Sequence, residues 1–279
     1  MSRLSISRAW EETRERLGSD GRLFATVALA LIALPSAVST LANPNSNIAE
    51  DGASSSAALI TLVMSLIAMV GQLALIRLAI GPSVSVGGAI GHAARRALPY
   101  IGSIILMVIV FIVLVIAPLA LVLGAMGVSF QQGAQELPTG AWIPMLLFIV
   151  LFFYLAARML MASSVASAEA VGPIRIVKRS WQLTRGNVGR LLAFLLLFLI
   201  AVIVLLSAVA LMVGLLANAL FDGIEPFSVG ALLAGLVEGL LSAAATTVFA
   251  VMLARIYIQL NGSGDAVDEP EVTVPHSGT

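Results

Sequence analysis

The chain has 279 residues, of which 59% are apolar and 11% charged, with fifteen basic and fifteen acidic side chains and no cysteine. Its mean hydropathy is +1.04, whereas a soluble domain is typically about half apolar and about a quarter charged. This excludes an ordinary water-soluble domain, and the missing cysteines exclude disulfide and thiolate chemistry.

The apolar residues collect in six blocks, at about 23–41, 57–80, 100–123, 141–161, 191–216 and 229–258. Each is near or above the roughly 20 residues that cross a bilayer as helix, and none alternates as a barrel strand would. The fold class expected is therefore all-α: a polytopic membrane protein with six transmembrane helices. Residues 2–20 mix arginine with Glu11, Glu12 and Glu15, so the start is expected to be a retained segment rather than a cleaved signal.

The basic residues sort by side. Arg3, Arg8, Arg14, Arg16 and Arg22 precede span one; Arg77, Arg95 and Arg96 flank the connection of spans two and three. Arg158, Arg175, Lys178, Arg179, Arg185 and Arg190 flank the connection of spans four and five, and Arg255 ends span six. The alternate loops, about 42–56, 124–140 and 217–228, carry Glu50, Asp51, Glu136, Asp222 and Glu225 but no Lys or Arg. The positive-inside rule then predicts a multi-pass protein with both termini cytoplasmic.

An internal repeat is also expected. Gly81-Pro82 and Gly172-Pro173 each open a basic stretch before a span, 91 residues apart (172 − 81). Arg8-Ala-Trp10-Glu-Glu-Thr13-Arg14 matches Arg179-Ser-Trp181-Gln-Leu-Thr184-Arg185. The domain expected over 1–260 divides into units of approximately 1–80, 81–171 and 172–260, followed by a disordered cytoplasmic tail at 261–279. Each unit would hold a cytoplasmic amphipathic helix, an outward span, an acidic loop and an inward span. In the third, Pro173 suits a first helical turn and Gly186-Asn187 a stop. Ile174, Val177, Trp181 and Thr184 fall near one face, with Arg175, Lys178, Arg179 and Arg185 around the other. Such a helix lies in the headgroup plane.

Two readings of the basic residues stay open. They set topology and brace the bundle, or Arg95, Arg96, Arg175, Lys178, Arg179, Trp181 and Arg185 contact anionic headgroups or phosphate on the cytoplasmic leaflet. Two polar side chains fall inside spans. Glu238 in span six is expected to face the bundle interior or a cavity, a functional hypothesis for an intramembrane carboxylate; Gln72 in span two is expected to donate an interhelical hydrogen bond. Pro35, Pro118 and Pro144 are candidate kinks, and Gly235-Leu-Val-Glu-Gly239 permits close helix packing. Glu169 is expected to pair with Arg158 or Arg175 on the surface.

His92 and His276 are the two histidines, and no metal-ligand cluster, phosphate loop or nucleophile with a matched base is legible. No cofactor, metal, catalytic residue or nucleic-acid partner is expected, and no soluble catalytic domain is legible.

The string Arg179-Ser-Trp181-Gln-Leu-Thr184-Arg185-Gly186-Asn187, preceded by Glu169-Ala-Val-Gly172-Pro173, resembles the membrane domain attached to some glycerophosphoryl diester phosphodiesterases, which also occurs alone. In fused members the phosphodiesterase chemistry belongs to a separate soluble barrel, so the resemblance implies a helical bundle and not that activity. The function expected is a non-catalytic, lipid-interacting or scaffolding protein linked to glycerophospholipid metabolism, with membrane lipids and a homo-oligomeric or membrane-protein partner. The alternative is a transporter or channel using Glu238.

Overall fold

The computed structural model describes residues 4–43, 55–81, 85–128, 138, 140–221 and 225–265. Among them every regular element is helical: α1 (Ile6–Ala28), α2 (Leu34–Ala42), α3 (Ser55–Ile80), α4 (Val86–Phe111), α5 (Ala117–Ala125), α6 (Trp142–Met159), α7 (Ala162–Ala168), α8 (Pro173–Leu183), α9 (Val188–Phe221) and α10 (Val229–Asp265). Six rods long and apolar enough to span a membrane result, running Ile6–Ala42, Ser56–Ile80, Val86–Ala125, Trp142–Ala168, Val188–Ala219 and Val229–Gly262. All six expected blocks are recovered. Glu50, Asp51, Glu136 and Asp222, Pro82 and the expected tail from 266 onward lie outside the described residues. Helix α10 itself carries past the expected tail boundary to Asp265.

Five-residue π segments at Leu29–Ala33 and Ile112–Ile116 join α1 to α2 and α4 to α5. Each ends two residues before a proline, Pro35 and Pro118. Proline lacks the amide hydrogen and its ring crowds the carbonyl four residues back; widening the turn to i→i+5 bonding absorbs the fault without breaking the rod. Pro144 falls in the first turn of α6, where it costs little.

The amphipathic stretches before the first, third and fifth spans differ in how they meet those spans. After α8, Gly186 takes φ +85 and turns the chain into α9, so α8 stands as a separate helix. In α1 only Asp20 leaves helical geometry (φ −116, ψ 19), and α4 is continuous through Pro99. The expected break between interfacial helix and span is thus present at α8 and absent at α4, which holds no left-handed glycine to end it.

The core lies toward the basic end of the bundle. Leu73, Leu75 and Ile76 of α3, Leu253 and Ile256 of α10, Phe24 of α1 and Met161 before α7 are fully enclosed. The other half is more open, and Leu121, Ile143 and Leu211 there are largely exposed, as are Leu197 and Val204 along α9. A contiguous apolar exterior of this kind is stable only against lipid.

At the other end α10 lies directly on α2. A Cβ placed on Gly239 would meet the Ala33 carbonyl oxygen at 2.5 Å, and one on Gly235 the Ala37 carbonyl oxygen at 2.8 Å. The small-residue stripe continues through Ala231 and Ala243, both buried. Helices in lipid gain no hydrophobic drive from meeting, so this backbone approach is what holds the pair. The chain before α10 adds a clasp: Phe227 N–H donates to the Leu41 carbonyl (2.9 Å), with Phe227 at φ 59. Gly239→Val should lower unfolding free energy in detergent by about 3 kcal/mol through overpacking. Gly214→Ala, with nothing near its Cβ, should change it by less than about 1 kcal/mol, in the stabilising direction; denaturant titration followed by circular dichroism reads both.

Candidate functional site

Three helices converge where α3 ends, and its last carbonyls need donors. Arg255 of α10 supplies one through Nη2 to Ala79 O (3.0 Å). Arg16 of α1 reaches Leu78 O and Gly81 O (both 3.4 Å) while its other amino group pairs with Asp20 (2.6 Å). Two cations at a helix carboxyl end also suit its macrodipole. One turn deeper, Ser167 of α7 donates to Leu73 O (2.6 Å), and His92 of α4 donates through Nε2 to Ser167 O (2.9 Å).

A second network fixes α8. Arg158 at the end of α6 donates to Tyr154 Oη (3.0 and 3.2 Å) and to Trp181 O (3.2 Å). Its guanidinium carbon stands 4.6 Å from the Trp181 ring centroid and 5.3 Å from that of Tyr154, a cation–π arrangement. The backbone oxygen of Arg158 accepts from Ser180 Oγ (2.8 Å). Glu169 Oε1 accepts from Arg179 Nε (3.1 Å) and from Tyr257 Oη (2.9 Å), and Arg179 Nη2 donates to Asn261 Oδ1 (2.6 Å). Glu169 therefore pairs with Arg179 and not with Arg158 or Arg175: Arg158 is spent on the two aromatic rings. Arg190 turns inward to Leu4 O (2.7 Å).

The face that α8 buries is Ile176, Ser180, Leu183 and Thr184, an i, i+4, i+7, i+8 pattern. Of the expected stripe only Thr184 is buried. Ile174 is 62% exposed and Trp181 39%, and Val177 is intermediate. The buried stripe is smaller and more polar than the one that hydrophobicity alone selects, because Ser180 and Thr184 bond to backbone.

The sequence-derived site residues divide accordingly. Arg179 is tied into the Glu169 network. Arg175, Lys178 and Arg185 are exposed on α8, Arg95 is exposed and Arg96 half-buried on α4. Among the described residues these five make no ion pair or side-chain hydrogen bond. Tyr154, Tyr257 and Asn261 were not singled out from the sequence; the i, i+4 spacing of Tyr154 and Arg158 was the available signal, whereas Tyr257 and Asn261 meet Glu169 and Arg179 only through the fold.

The intramembrane polar residues depart from expectation. Glu238 is exposed on the flank of α10, because Gly235 and Gly239 take the face toward α2; Thr40 donates to its Oε2 (3.1 Å). It does not face the interior of the bundle. Gln72 is half-buried and forms no side-chain hydrogen bond among the described residues.

Six apolar rods, a lipid-facing exterior and a polar layer at one end define a polytopic helical membrane protein. More particularly, residues 135–273, from before α6 to beyond α10, match the family model described as the membrane domain of glycerophosphoryl diester phosphodiesterase. That half of the chain belongs to this membrane-domain family. No curated protein and no solved structure matches the chain.

A double-mutant cycle should show that the Glu169–Arg179 pair braces α8. Arg179→Met and Glu169→Gln should each destabilise the fold, with a coupling of about 1 kcal/mol for a partly solvated pair; denaturant titration of the four forms measures it.

Proposed function

We propose that the protein is a non-catalytic integral membrane protein that binds anionic lipid headgroups at its basic end, which faces the cytoplasm of a bacterial inner membrane. One observation carries this reading: the cations of that end fall into two sets. Arg16, Arg158, Arg179, Arg190 and Arg255 bond to carbonyls and side chains within the bundle. Arg175, Lys178, Arg185, Arg95 and Arg96 have no such partner among the described residues. The first set builds the end and the second is left for outside anions. On α8 the second set shares the surface with exposed Ile174 and Trp181, the mixture that suits a headgroup layer. The family assignment supports a setting in glycerophospholipid metabolism, through the phosphodiesterase named in its description.

The same reading makes the three units copies of one ancestor. It is supported by burial at related positions: Ala9 and Thr13, Ala89 and Ala93, and Ser180 and Thr184 are all buried at the offsets of the sequence match.

The test uses Trp181 as reporter in a background with Trp10 and Trp142 changed to Phe. Brominated phosphatidylglycerol should quench it in preference to brominated phosphatidylcholine in reconstituted vesicles. Neutralising Arg175, Lys178 and Arg185 together should reduce that preference by about tenfold, since each basic residue near an anionic leaflet contributes about 1 kcal/mol before screening. An unchanged preference would remove the proposal.

A second reading, a carrier or channel, is favoured by the matched π segments of the first and third rods, since interruptions at corresponding positions mark transporter sites. Proton or glycerophosphodiester flux into proteoliposomes, compared between the native chain and Glu238→Gln, decides it. The lipid-binding reading expects no flux above empty vesicles in either.

A further inference from the structure

The seam between α4 and α6 is open to the side. Helix α4 packs on α3, α7 and α8, and α6 on α5, α8 and α9, so the rods meet along α5, and α4 and α6 separate toward the basic end. They approach through the rings of Phe111, Phe148 and Phe152, whose centroids lie 5.6 to 6.4 Å apart. Toward the basic end from these rings runs a cavity of about 270 Å³. Met107 and Val108 form one wall, Leu155 and Ala156 the other, and Val177 of α8 roofs it beside Tyr100.

We infer that this groove seats one acyl chain of a glycerophospholipid from the leaflet at the basic end, with its headgroup at the unpartnered cations of α4 and α8. The inference rests on the lipid reading above and gives it a place in the fold. Depth is the first argument. From Tyr100 to Phe111 the helix rises about 17 Å, close to the roughly 15 Å of one leaflet's hydrocarbon. The phenylalanine cluster therefore stops the groove near mid-membrane. Chemistry is the second: the walls are apolar, and the polar side chains at the groove, Tyr100 and Ser103, lie at its upper end. Ser103 already donates to the Tyr100 backbone carbonyl (2.7 Å), so its hydroxyl asks for no polar ligand deep inside.

Charge is the third argument. Arg96 lies one turn beyond Tyr100 on α4, and Lys178 follows Val177 on α8, so cations flank the two elements that roof the groove. Helix α8 is held there by Pro173 against Gly102, where an added Cβ would meet Pro173 Cγ at 2.8 Å. An acyl chain below and an anionic phosphate above match this arrangement. A lipid with a zwitterionic head would fill the same groove without the cations' preference.

The experiment labels the full chain in vesicles with phosphatidylglycerol, and separately phosphatidylcholine, bearing a diazirine at mid-chain. Crosslinked residues are mapped by peptide mass spectrometry. Labelling should concentrate on Met107, Val108, Leu155 and Ala156, at least fivefold above the lipid-facing Leu197, Val204 and Leu211 of α9. Ala156→Phe, or Val108→Phe from the opposite wall should the first not fold, should abolish groove labelling and leave the headgroup preference of Trp181 quenching intact. Labelling spread evenly over α4, α6 and α9, or unaltered by a filled groove, overturns the inference even where the headgroup preference persists. Groove labelling that is equal for both lipids supports the chain site and removes the anionic preference instead, so the two proposals fail separately.

Discussion

Backbone polarity governs this molecule. Within a bilayer, helices satisfy their own amides and carbonyls except at their ends, and the carboxyl end of α3 is enclosed by its neighbours. Its oxygens at Leu78, Ala79 and Gly81 are answered by Arg16 and Arg255 from two other rods. Ser167 adds a bond to an oxygen already inside the helix. Those three residues come from α1, α10 and α7, so satisfying one helix end fixes the mutual placement of four helices. The enclosed side chains of α3 and α10 are grouped around this point because that placement brings them together.

The opposite end is organised by a different rule. There no cation crosses between helices among the described residues, and α10 meets α2 through glycine against carbonyl. The bundle thus has a polar, side-chain-mediated end and a tight backbone-mediated contact. They share α10, which carries Arg255 near one terminus and Gly235 and Gly239 near the other. That division accounts for Glu238: Gly235 and Gly239 take the face in closest contact with α2, which leaves the carboxylate on the flank, where Thr40 of α2 donates to it.

The six spans were legible because a long apolar run has few alternatives to a membrane helix. The glycine pair could be noticed as a pattern but not assigned a partner, since Gly-x-x-x-Gly states a small surface and not what lies on it. Arg158 and Glu169 show the limit more sharply. Tyr154 lies within reach of Arg158 along α6, but the bonds to Trp181, Arg179 and Tyr257 depend on how α8 sits over α6 and α10. The buried face of α8 was not legible for a similar reason. A hydrophobic stripe selects Ile174 and Trp181, while Ser180 and Thr184 go inside because backbone oxygens are waiting for them.

Off-centre packing gives the protein unequal halves. Side chains interlock around α3, α7 and the last third of α10, whereas α5, the start of α6 and the later part of α9 touch few neighbours. Local opening costs least where enclosure is least, so amide exchange should proceed from the loosely held side while the other stays protected. In a bilayer this makes the two leaflets mechanically different surroundings for one chain: one holds a stiff plug notched by the groove between α4 and α6, the other a spread of compliant rods. Thickness or lateral pressure changes in that second leaflet would reshape it without disturbing the first.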